Sequence, residues 1–130
     1  MTLTINELIA AMNSYQKINK EKFSIKTAYK LTRLFQDISK EVDCYETVVR
    51  DTLIKYSKKD EEGNPIIHQS EQGDNVEVAP EDQQACIEEI NSLGNNEIEV
   101  NDCFITINEL GEIEVSLEEL KGLMPFIKED

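Results

Sequence analysis

The chain has 130 residues, no Trp, three Cys and a formal net charge of -14, the size of one modest domain with a thin core. No run approaches the roughly 18 apolar residues of a membrane span, and Met1 to Glu7 lacks the basic start and apolar stretch of a signal peptide. Cys44, Cys86 and Cys103 are odd in number, widely spaced and free of a C-x-x-C pair, which speaks for buried thiols rather than a disulfide framework or a zinc knuckle.

Thr4 is a suitable N-cap, and Glu7 three residues on completes a capping box, so a first helix is expected to start there. Ile5, Leu8, Ile9, Met12, Tyr15 and Ile18 recur at three- and four-residue steps and form its apolar stripe, which runs out near Asn19 or Lys20. Ser24 is the cap expected for a second, longer helix. Along it Ala28, Leu31, Phe35, Ile38, Val42, Tyr45, Val49, Thr52 and Tyr56 make a heptad seam of about four repeats. No Gly or Pro interrupts residues 24–62, and a helix of roughly 34 residues would be about 50 Å long. The first helix covers about half of that length at 1.5 Å per residue. Val42, Tyr45, Val49 and Tyr56 therefore need cover, either from the C-terminal half or from another chain, which makes them a candidate protein-binding seam and leaves a coiled-coil homo-oligomer open.

Charge changes sign near residue 60. Up to Lys59 there are eleven Lys/Arg against seven Asp/Glu, a net of +4; from Asp60 onward there are two Lys against twenty Asp/Glu, a net of -18. Single-domain organisation over 1–130 is expected, with a helical hairpin over 1–59 and an acidic mixed part over 60–130. An acidic surface of this strength repels phosphate backbones, so nucleic acid is disfavoured as a partner. The helix-turn region with Lys17, Lys20, Lys22, Lys26, Lys30 and Arg33, close to Phe23 and Tyr29, is where a nucleic-acid contact would fall if there were one; a solubilising tip is the simpler account.

Gly63 and Pro65 in Asp60-Glu61-Glu62-Gly63-Asn64-Pro65 stop the long helix. Ile66-Ile67 and Val76 to Val78 predict a hairpin, with the polar residues 69–75 as a loose loop. Pro80, Glu81 and Asp82 suit a helix start, with Cys86, Ile87, Ile90 and Leu93 as its stripe and Gly94 as its stop. Ile98-Glu99-Val100 and Phe104-Ile105-Thr106-Ile107 read as two short strands about an Asn101-Asp102 turn, and Ile113-Glu114-Val115 as another. Ser116 with Glu119 is a second capping box, opening a final helix through Leu117, Leu120 and Leu123. The expected class is α+β: an N-terminal helical hairpin with one long heptad-patterned helix, then short β-hairpins and short helices.

Enzyme chemistry finds little footing. The one histidine, His68, has no Ser or Cys at a spacing that suggests a triad, and the carboxylates lie in runs or strand alternation, as in Glu97/Glu99 and Glu112/Glu114, the pattern of a solvated face. The Asp60 to Pro65 segment has the wrong register for a calcium loop, and there is no phosphate-cradling glycine motif. A non-enzymatic protein without metal or cofactor is expected. Its second candidate binding surface is the acidic face with Glu97, Glu99, Glu112, Glu114 and Glu118.

The run Ile25-Lys26-Thr27-Ala28-Tyr29-Lys30-Leu31, followed by Tyr45-Glu46, Arg50 and then Leu53-Ile54-Lys55-Tyr56 leading into Asp60-Glu61-Glu62-Gly63-Asn64, resembles small acidic proteins of tailed phages and prophages of low-GC bacteria. Ser116-Leu117-Glu118-Glu119-Leu120 and Pro125-Phe126 extend the likeness, which covers most of the chain but consists of helix-and-turn patterns. The resemblance implies a phage origin and no activity; with a place in the host cytoplasm or the virion expected, one non-enzymatic class is a virion or assembly accessory that docks on other phage proteins through the exposed part of the long helix. The alternative is an inhibitor of a host defence or other nucleic-acid-binding protein, presenting carboxylates where phosphates would lie.

Overall fold

A computed structural model describes residues 1–71 and 73–129. The fold is α+β, with an N-terminal helix pair and short strands in small two-stranded sheets. The chain forms two compact units: Met1–Asp43 with Asn96–Asp130, and Cys44–Asn95.

The first unit begins with strand β1 (Thr2–Thr4) and helix α1 (Ile5–Ile18). The capping box forms as its residues dictate: Glu7 N–H donates to Thr4 Oγ1 at 3.1 Å and Thr4 N–H donates to the Glu7 carboxylate at 3.1 Å, so two amides that a helix start leaves open are satisfied. Ile5, Leu8, Ala11 and Ile18 face inward. Helix α2 (Ile25–Lys55) starts at Ser24, whose Oγ accepts from Thr27 N–H at 3.3 Å. Leu31, Leu34, Phe35 and Ile38 are its buried stripe. Tyr15 of α1 stacks on Phe35 of α2 with ring centroids 4.1 Å apart. No apolar side chain of α2 beyond Ile38 is fully buried, and the part of α2 after Asp43 belongs to the second unit.

The C-terminal part of the first unit holds β4 (Glu97–Glu99), β5 (Ile105–Thr106), α4 (Ile107–Leu110), α5 (Leu117–Leu123), a 3-10 turn (Met124–Phe126) and β6 (Ile127–Lys128). The strands at 98–100 and 104–107 do not pair with each other across the Asn101-Asp102 turn. Instead β4 runs antiparallel to β1, with Leu3 opposite Ile98, and β5 runs parallel to β6, with Ile105 opposite Ile127. Ile107, expected to end a strand, opens α4, because Thr106 and Glu109 form a further capping box. Residues 113–115 are not a strand despite their alternation; a strand needs a partner for its amides and carbonyls, and among the described residues no strand pairing or bridge includes them. Phe126, Leu123 and Ile105 join Leu8, Ile18 and Ile38 in one apolar cluster. Burying each such side chain contributes on the order of 1.5–3 kcal/mol. Helix α5 lies so close to α1 that Gly122 has no room for a side chain: a Cβ there would stand 2.7 Å from the Ala10 carbonyl oxygen.

In the second unit the end of α2 passes through a turn in which the Asp60 carboxylate accepts from Glu62 N–H at 2.9 Å and Asn64 N–H at 3.0 Å, and Gly63 takes a φ of 85°. Strands β2 (Ile67–Ser70) and β3 (Gly73–Val76) are antiparallel, with register from Ile67 opposite Val76 to Ser70 opposite Gly73. The loop expected over 69–75 is thus largely strand, since backbone pairing does not depend on side-chain polarity and extends through this polar run; Gln72 within it lies outside the described residues. A 3-10 turn (Pro80–Asp82) leads into α3 (Gln83–Gly94). Lys55 on α2 bridges Glu89 on α3 at 3.1 Å. Among the described residues of this unit, Cys86 is the one buried apolar side chain.

Candidate functional site

The pentapeptide Thr-Ile-Asn-Glu-Leu occurs twice, at 4–8 and 106–110, and Ser116-Leu117-Glu118-Glu119-Leu120 is a close third version. All three build the same local object: a Thr or Ser cap in extended backbone, its oxygen accepting from the amide three residues on, and a Glu returning the bond. In the second copy Glu109 N–H donates to Thr106 Oγ1 at 3.1 Å; in the third Glu119 N–H donates to Ser116 Oγ at 3.1 Å.

The three copies differ in what covers them. Ile5 and Leu8 of the first are 6% and 0% exposed, whereas Ile107 of the second is 54% and Leu117 of the third 87% exposed. Helix α4 lasts four residues before Gly111, at a φ of 74°, turns the chain away. Its apolar face therefore stays open and forms one wall of a groove of about 300 Å³. Ile107, Leu110, Ile113, Val115, Leu120 and Leu123 line it together with Met124 and Ile127, and Glu129 is the charged residue of the lining.

The wall is held firmly from behind. The hydroxyl of Thr27, nearly inaccessible in α2, donates to the Glu109 carbonyl at 3.0 Å, and Lys30 Nζ donates to both Glu109 carboxylate oxygens at 3.0 and 2.8 Å. This Lys30 hydrogen bond, then the Thr106 amide, holds the Glu109 carboxyl below its ordinary value of 4.5.

The acidic positions singled out in the sequence fall at three places. Glu112 and Glu114 are exposed on either side of Ile113, in the loop that lines the groove. Glu118 lies on α5 in a cleft shared with Lys17 and Lys121 of the first unit. Glu97 and Glu99 are exposed on β4, where Glu99 accepts from the Thr2 hydroxyl and stands 3.7 Å from the Met1 ammonium. That ammonium also bonds Asp102 at 2.6 Å, which lowers the Asp102 carboxyl and raises the amine.

The seam residues Val42, Tyr45, Val49 and Tyr56 are all half-buried, with Val42 packed on the core of the first unit; Val48 beside them is exposed. His68 lies exposed in the hairpin with Nε2 2.9 Å from a Glu77 carboxylate oxygen. Of the basic cluster, Lys30 is taken up by Glu109 and Arg33 lies 5.9 Å over the Tyr29 ring.

The groove escaped the sequence reading because Ile105-Thr106-Ile107 alternates like a strand. The repeated pentapeptide was the available signal: a copy of a known helix start predicts another helix start. No helix among the described residues is long and apolar enough to cross a membrane. Comparison with protein-family models, curated proteins and solved structures gave no match, so the functional reading rests on the groove and its surroundings.

Proposed function

We propose that the chain is a non-enzymatic protein-binding protein whose docking surface is the aliphatic groove between α4 and α5, and that it serves a tailed phage as a virion or assembly accessory. The observation that carries the binding assignment is the open apolar wall: Ile107 and Met124, both more than half exposed, border the same lining as Leu110 and Leu120. Contiguous apolar surface in water is unfavourable by about 25 cal/mol per Å² and in soluble proteins marks a place that another surface covers. The phage context rests on the pattern from Ile25 to Asn64 and on the acidic C-terminal segment with Pro125-Phe126.

The test is a tagged pull-down from phage-infected cells, read by mass spectrometry, with the wild type beside an Ile107→Asp/Met124→Asp variant. A phage structural or assembly protein captured by the wild type and lost from the variant is the expected result. Equal capture by both forms refutes the groove as the docking surface. Capture of a basic host protein, released by salt and displaced by DNA or RNA, would instead assign the chain to the inhibition of a host nucleic-acid-binding protein.

A further inference from the structure

We infer that the occupant of the groove is an amphipathic helical segment of a partner protein, with an aliphatic stripe flanked by Lys or Arg; the inference rests on the reading of this groove as a docking surface.

The chain itself shows what covers this motif. In the first copy of Thr-Ile-Asn-Glu-Leu, Leu8 lies in the same core cluster as Leu123, and α1 runs along α5 closely enough to exclude a side chain at Gly122. The helix that carries that copy is covered in part by another helix, α5, packed against it. The second copy presents the same Ile and Leu types, but Ile107 is 54% exposed and Leu110 is only half-buried against the core.

The lining also argues for side-chain anchors rather than a small ligand. Small-molecule sites combine apolar walls with a few convergent polar groups; here eight aliphatic or Met side chains meet one carboxylate, Glu129, at the edge. Helix-in-groove recognition asks for such a floor, read by anchors at i, i+3, i+4 and i+7.

Charge selects the flanks. Glu129 is the carboxylate of the lining, and Glu112 and Glu114 are exposed in the loop beside Ile113 without lining the groove themselves. The two lysines of this stretch do not line the groove: Lys121 lines the cleft shared with Lys17, and Lys128 Nζ lies 4.2 Å over the Phe104 ring. A partner with cations beside its aliphatic stripe gains attraction and on-rate, and one with carboxylates there is repelled.

The test uses the full chain, isotopically labelled, and three synthetic 18-residue helical peptides: Leu stripe with Lys flanks, Leu stripe with Glu flanks, and Ser stripe with the same Lys flanks. Binding is followed by fluorescence anisotropy and by amide shift mapping. The Leu/Lys peptide is expected to bind at least roughly tenfold tighter than either control, with shifts concentrated in residues 105–129. Glu112→Gln/Glu114→Gln should weaken it about threefold and flatten its salt dependence. Ile107→Gln/Met124→Gln, at exposed positions, should weaken it roughly tenfold or more. Equal binding of the two Leu peptides overturns the basic partner and leaves the groove as a docking surface. Equal binding of the Ser/Lys peptide, or shifts outside 105–129, overturns the inference because charge alone then accounts for binding. Binding of neither Leu peptide overturns both the inference and the docking reading.

Discussion

Gly122→Ala isolates the closest approach in the first unit. A Cβ at this position of α5 would stand 2.7 Å from the Ala10 carbonyl oxygen and 3.2 Å from its carbon, and closer still to Ser14 Oγ. Ser14 can rotate away, although it is buried, but the Ala10 carbonyl is helix backbone and cannot move without displacing α1. Overpacking of this kind costs about 1–3 kcal/mol. Against it, Ala is better than Gly in a helix interior by about 0.5–1 kcal/mol. The net expectation is destabilisation of about 1 kcal/mol, which for a chain of 130 residues lowers Tm by about 3–5 °C. Urea denaturation followed by circular dichroism should show a lower midpoint with little change in slope. The double variant Ser14→Ala/Gly122→Ala should recover part of the loss and no more, because the backbone oxygen remains. A Gly122→Ala protein as stable as wild type, or more so, would refute the close packing of α1 on α5.

Phe126→Ala, at a side chain that is almost inaccessible, should cost about 3–5 kcal/mol in the same assay, whereas Leu117→Ala, at the most exposed apolar position of α5, should change stability by no more than about 0.5 kcal/mol. Thr106→Ala removes the cap of α4 and should lower stability by about 1 kcal/mol, with proteolysis between 105 and 115 accelerated. The lowered carboxyl of Glu109 gives a signed pH effect: its contribution is present above its ordinary value of 4.5 and is lost as pH falls through the lower folded value. Lys30→Met removes the largest cause of that shift, so the drop in stability of the variant on acidification below about 4.5 should be shallower than that of wild type; parallel curves would show that the Lys30 pair does not couple to folding.

Features that depend on a few neighbouring residues were legible in the chain. Thr4 with Glu7 and Ser116 with Glu119 specify their helix starts because a cap satisfies amides three residues away, and Gly63, at a φ of 85°, marks the turn that follows the long helix, which itself ends earlier than expected, at Lys55. The stripe Leu31, Phe35 and Ile38 follows from helical periodicity. Pairing over long separations was not legible. β1 meets β4 and β5 meets β6 because the folded helices bring those edges together, and nothing in residues 113–115 distinguishes an alternating loop from an alternating strand until a partner is found or missing. The half-buried state of Tyr45, Val49 and Tyr56 likewise depends on neighbours that the heptad pattern does not name.

The repeated pentapeptide separates the two levels within one molecule. Its sequence alone determines the capping box at 4–8 and again at 106–110, since the hydrogen bonds close within the motif. Whether its Ile and Leu become core or groove is a tertiary matter: Ile5 and Leu8 are buried in a helix of 14 residues that packs on α5, while Ile107 and Leu110 sit in one of four residues that ends at Gly111. Burial is a property of what lies opposite a side chain, and five residues cannot encode that.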